Sequence, residues 1–128
     1  MPDLGIDPEF VRGAELHAAG KYWEAHEAWE ALWVAAKAPQ RRLLLQGLIQ
    51  VTAAFHKLFA MHDRASAIRI LKRGLAKLET VSDTLEGIDV PAFRKRAAAC
   101  CDALERGAHV DSHDVPRVPF ASPAHPPD

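Results

Sequence analysis

The chain has 128 residues, 48% of them hydrophobic and 26% charged, with a formal net charge of −1. That is the composition of one globular domain, large enough to bury a core without disulfides or a structural metal. A near-neutral balance creates no field that would select nucleic acid or an anionic membrane, so neither is expected as a partner.

The N-terminal stretch Met1-Pro-Asp-Leu-Gly-Ile-Asp-Pro lacks the basic-then-apolar layout of a secretory signal. No run reaches the roughly 18 apolar residues of a membrane span. A cytoplasmic protein is therefore expected. The two cysteines, Cys100 and Cys101, are adjacent, which suits neither a redox pair nor a zinc half-site, and buried, inert thiols are anticipated.

Five helices are predicted, and no strand. The first spans Pro8 to Ala19, with Asp7 as N-cap, Pro8 at the first helical position and Gly20 as its stop; its apolar positions include Phe10, Ala14 and Leu16-His17. A second helix covers Tyr22 to Lys37 and is ended by Pro39. The third, Gln40 to Met61, is apolar nearly all round, as in the centre of a bundle. Asp63 caps a fourth, whose Ile68, Leu71, Leu75, Leu78 and Leu85 recur at helical steps until Gly87. A fifth runs from Pro91 to Arg106.

From Gly107 onward Pro116, Pro119, Pro123, Pro126 and Pro127 exclude regular structure. The tail should run extended and lie over the bundle through Val115, Val118 and Phe120. Short connections favour antiparallel neighbours, so the fold expected is an all-α, up-and-down bundle: one domain over residues 1–106 and a Pro-rich tail over 107–128. The stretch from Leu16 to Pro39 resembles a tetratricopeptide helix pair, but without the three or more copies a solenoid needs. It reads as a single αα-hairpin.

Charge is segregated. Acids dominate up to Ala36, including Glu24, Glu27 and Glu30, and bases dominate from Lys37 to Lys77. Attraction between helices is the simplest consequence. The stripe Arg69, Arg73 and Lys77 reads as a solvated face, because no aromatics interleave it. His109 and His113 have ligand-like spacing but are not held on a helix.

The chemically distinctive feature lies on the second helix. At about 100° per residue, with His26 at zero, Glu30 falls near +40°, Trp33 near −20°, Tyr22 near −40°, Trp29 near −60° and Trp23 near +60°. One arc thus collects His26, Glu30, the only tyrosine and all three tryptophans, and so much apolar area should be buried. A buried Glu30 would need a partner: His26, an indole N–H, a divalent metal ion or a ligand. On the third helix, Gln46, Gln50 and Lys57 share one stripe. His56 and Thr52 share another with Leu45, Ile49 and Phe59. Either could face the pair.

The string Gly20-x-Tyr22-x-Glu24-Ala25-His26-Glu27-Ala28-Trp29-Glu30-x-Leu32-Trp33, followed by Leu45-Gln46-Gly47-Leu48-Ile49-Gln50, resembles the bacterial and archaeal family called domain of unknown function 309 over roughly residues 8–80. That family is marked by an H-x-x-x-E-x-x-W/Y motif, for which metal binding has been suggested. The resemblance implies a helical bundle and singles out His26, Glu30 and Trp33, but supplies no activity. Members often have Gly-Asn where this chain has Met61-His62.

Two functions follow as expectations. One is a metal or small-ligand site built on His26, Glu30 and His56, with Tyr22, Trp29, Trp33, Gln46 and Gln50 around it. The other is a helical protein-interaction module, homo-oligomeric or with another protein, in which His26 and Glu30 form a buried structural pair. The spacing is not that of a zincin, and no nucleophile or phosphate loop completes a catalytic site.

Overall fold

A computed structural model describes residues 7–120. The tail's Pro123, Pro126 and Pro127 lie outside the described residues. Five helices are present: α1 (Pro8–Ala18), α2 (Tyr22–Ala35), α3 (Pro39–Phe59), α4 (Arg64–Leu78) and α5 (Val90–Glu105). Consecutive helices pack on one another, α3 most extensively against α4 and α2, which makes an up-and-down bundle.

Local chemistry sets the helix ends. The Asp7 carboxylate accepts from the Glu9 N–H, Asp63 from Ser66 and Asp89 from Ala92, each satisfying a backbone donor that the first turn leaves unpaired. Pro8 and Pro39 occupy opening positions where a missing N–H costs nothing. At the end of α3, His62 takes the left-handed conformation at φ 52°, and the Asp63 N–H bonds back to the Lys57 carbonyl. Met61-His62 thus closes α3 with a glycine-type cap, in a conformation histidine tolerates better than most side chains.

Two features differ from the sequence expectation. The fourth helix stops at Leu78 instead of reaching Leu85, and a short hairpin follows, β1 (Thr84–Leu85) paired with β2 (Ile88–Asp89). Glu86 and Gly87 form its loop, both with positive φ (54° and 76°), the pattern of a type I′ turn. Thr80, Ser82 and Thr84 lower the helical propensity beyond Leu78. Charge pairing also binds the bundle less than anticipated. Arg41 on α3 reaches Asp7 before α1 and Glu86 in the hairpin. Among the described residues the other close pairs are Lys72–Glu105, an exposed Arg12–Glu9 pair within α1, and His113–Asp111, an ion pair only when the imidazole is protonated.

The core holds Phe10, Trp29, Leu44, Leu45, Leu48, Phe55, Leu71, Leu78, Ile88 and Phe93, all essentially inaccessible. Each large side chain so buried contributes about 1.5–3 kcal/mol. Residues 107–120 lie over this core as an extended strap. Val110 and Val118 are buried, Val115 and Phe120 pack against the core, Phe120 pairs with Ile88, and the Asp89 N–H donates to the Pro119 carbonyl.

Candidate functional site

Of the residues on α2, Tyr22, Ala25 and Trp29 are the ones that face inward. Trp29 lies flat against Gly13 of α1. A Cβ at position 13 would stand 2.2 Å from the indole nitrogen, and that nitrogen donates to the Phe10 carbonyl at 3.1 Å. Tyr22 packs against His17, Phe55 and Phe59. Burial raises its phenol pKa above the ordinary value, with a smaller contribution from Cys100.

His26 sits on the border between core and solvent, half-buried, its ring stacked on Trp23 with centroids 4.7 Å apart and planes 13° from parallel. Trp23 also meets His56 of α3 at 5.3 Å, so this indole is the common neighbour of both imidazoles. Trp33 is half-buried beneath the Arg42 guanidinium, 4.4 Å above its ring, and Arg42 Nη1 donates to the carbonyls of Trp33 and Ala36. Arg42 therefore covers Trp33 and closes the C-terminus of α2 in one stroke.

Glu30 corrects the sequence expectation. It is exposed, as is Trp23 at 47%, so the aromatic arc is buried along one half only. The buried side chains fall from about −40° to −100° on the wheel, centred on Trp29 and the small Ala25, and Glu30 and Trp23 lie on the far side of His26. No hydrogen bond or ion pair joins Glu30 to His26 among the described residues, and His26 Nδ1 and Trp33 Nε1 are both buried without a partner. Buried polar atoms of this kind are uncommon and costly.

The α3 residues divide between neighbours. Thr52 and His56 turn toward α2, the Thr52 hydroxyl lying 3.3 Å from the Tyr22 carbonyl. Gln50 turns instead to α4, where it accepts from Lys77 Nζ at 3.1 Å. Gln46 is half-buried on α3.

The donors at the motif do not fit a resident divalent ion. His26 and Glu30 would supply only two ligands, His26 Nδ1 has no exposed surface, and His56 meets an indole instead of a shared centre. Among the described residues, no three His, Cys, Asp or Glu side chains are grouped to hold a metal.

Sequence reasoning missed the role of His17, treating it only as one apolar position. It is fully buried among Tyr22, Trp29, Phe55 and Phe93, and both ring nitrogens are engaged: Nε2 with the Pro116 carbonyl and Nδ1 with Thr52 Oγ1, each at 3.0 Å. A carbonyl only accepts, so Nε2 carries the proton, and in the neutral ring Nδ1 accepts from the Thr52 hydroxyl. Burial lowers its pKa to about 4, against a smaller opposing effect of the Pro116 carbonyl. The available signal was spacing, since Phe10, Ala14 and His17 fall on one helical stripe. Cys100 and Cys101 are free and buried; burial pushes Cys100 up to about 11, with Asp114 adding to it.

Fold and site together define a helical bundle built on an αα-hairpin, whose signature residues straddle the edge of the core. A family model, the domain of unknown function (DUF309), matches residues 10–70, and the chain is similar to that family over this segment. No curated protein matches the chain. None of the helices over the described residues is long and apolar enough to cross a membrane.

Proposed function

We propose that the protein is a helical interaction module that uses the outer stripe of α2 to bind a basic, amphipathic segment of another protein. The observation that carries this reading is the exposure of Trp23 (47%) and Val34 (71%) on a helix that otherwise packs well. Trp23, Glu27, Glu30 and Val34 follow one another at steps of four and three, so they form one ridge with apolar ends and two acids between them. Tryptophan is a frequent energetic anchor of interfaces. Neither carboxylate forms an ion pair among the described residues, and both supply charge complementarity for Lys or Arg. Trp23 of the ridge stacks on His26, whose Nδ1 has no partner among the described residues.

The test is a titration of the ¹⁵N-labelled protein with a short Lys/Leu amphipathic helical peptide and with its Glu/Leu counterpart. The basic peptide is expected to shift the Trp23 indole N–H and the amides from Glu27 to Val34, and the acidic peptide to leave them in place. Glu27→Lys with Glu30→Lys should reverse that preference. If neither peptide moves α2, or both move it equally, the reading fails.

A further inference from the structure

A second surface lies at the end of the bundle where the α1–α2 turn, the α3–α4 turn, the end of α5 and the strap converge. They enclose a cleft of about 660 Å³, within the range of small-molecule sites. Tyr22, Leu58, Phe59, Leu104 and Val110 give it apolar walls, and Arg64, His62 and His109 supply polar ones.

Arg64 distinguishes this cleft from the others. Two partly buried arginines of α3 are already committed. Arg41 is neutralised by Asp7 and Glu86, and Arg42 is occupied by the Trp33 ring and two carbonyls. Arg64 is held rigidly, its Nε donating to the Leu104 carbonyl and Nη2 to Ala108, but carbonyls do not neutralise its charge. No carboxylate pairs with it among the described residues. Both protons of Nη1 remain, with the second of Nη2, so the Nη1–Nη2 edge is open to two oxygens of one anion. The acid on the cleft wall, Asp111, accepts from the His113 N–H at 2.8 Å and lies 3.6 Å from the His113 ring, and it forms no ion pair with Arg64. Each histidine on the wall offers at least one N–H whatever its protonation state.

We infer that this cleft binds a small amphipathic carboxylate, its head on Arg64 and its apolar body against Leu58 and Phe59, the half-buried apolar residues of the wall. The head would be held by a paired, charge-assisted contact, and the body would displace water from apolar wall. The site lies apart from the outer ridge of α2 and does not depend on it.

Octanoate is the probe, and 1-octanol its uncharged counterpart, followed by amide shifts and calorimetry on the full chain. Octanoate should bind saturably, shifting the amides of Gly20, Tyr22 and Val110 to Ser112, with octanol about tenfold weaker or more. Arg64→Gln should reduce octanoate affinity by about tenfold and leave octanol unchanged. Should Arg64→Gln fail to fold, Ser112→Asp places a carboxylate on the exposed wall and should weaken octanoate about threefold while sparing octanol. Equal binding of acid and alcohol, no saturable shift at the cleft, or unchanged octanoate affinity in a folded variant would overturn the proposal.

Discussion

Gly74 of α4 lies directly against the carbonyl oxygen of Gly47 on α3: a methyl group at position 74 would stand 2.9 Å from that oxygen and 3.1 Å from Val51. The two helices touch there backbone to backbone. A Cβ on Gly47 meets Cδ2 and Cγ of the Leu78 side chain at 2.7 and 2.8 Å instead, and a side chain yields more readily than a backbone carbonyl. Gly74→Ala should therefore cost about 2 kcal/mol, overpacking outweighing the gain in helix propensity of about 1 kcal/mol. Gly47→Ala should cost less. Urea midpoints of the two variants measure the difference, and equal losses would contradict this asymmetry.

The contact of Gly13 with Trp29 should behave as a coupled unit. Gly13→Ala drives a methyl into the indole and is expected to cost about 3 kcal/mol or more. Trp29→Leu opens space and removes the hydrogen bond to Phe10, at a similar cost. The double variant should be more stable than the sum of the two losses by at least about 1 kcal/mol, as a double-mutant cycle reads directly. Simple additivity would show that the contact relaxes without strain.

His17 makes stability depend on pH. Its folded pKa of about 4 lies below the ordinary 6.5, so between those values the unfolded chain binds more protons. Stability is then fully present above 6.5 and is lost as the pH falls through that window, by a total on the order of 3 kcal/mol. His17→Gln keeps a donor and an acceptor but does not titrate, and should flatten this part of the profile. Parallel profiles for the two proteins would refute the assignment.

Trp23 should separate binding from folding. Half of its surface is already in water, so Trp23→Ala is expected to cost at most about 1 kcal/mol in a denaturation experiment. The same variant should lose most affinity for the basic peptide. A large stability loss would mean that its stack on His26 is structural.

The helices were readable because their punctuation is local. Asp7-Pro8, Pro39, Asp63 and Gly20 each act within a turn of where they stand. The hairpin was not, because Glu86 is a poor signal for a positive φ and the leucine spacing runs on through Leu85. On α2, the wheel centred the buried face wrongly. It weighted aromatic size, whereas the buried face includes the small Ala25, fully inaccessible alongside Trp29. A rotation of about 60° separates a buried Glu30 from the exposed one observed. Nothing local announces His17, because its partner Pro116 sits at the other end of the chain.

That separation, 99 positions, has a consequence in polymer terms. The bond from His17 to Pro116 ties most of the chain into a ring, and made first, in an unfolded chain, that ring would cost about 2 kcal/mol more to close than one of ten residues. Contacts between consecutive helices carry no such cost, so the strap is the natural last segment to dock and the first to lift. His109, Val110 and Asp111 on that strap form one wall of the cleft beside Arg64. The cleft is thus intact only while the ring is closed, and any ligand held there would act as its clasp.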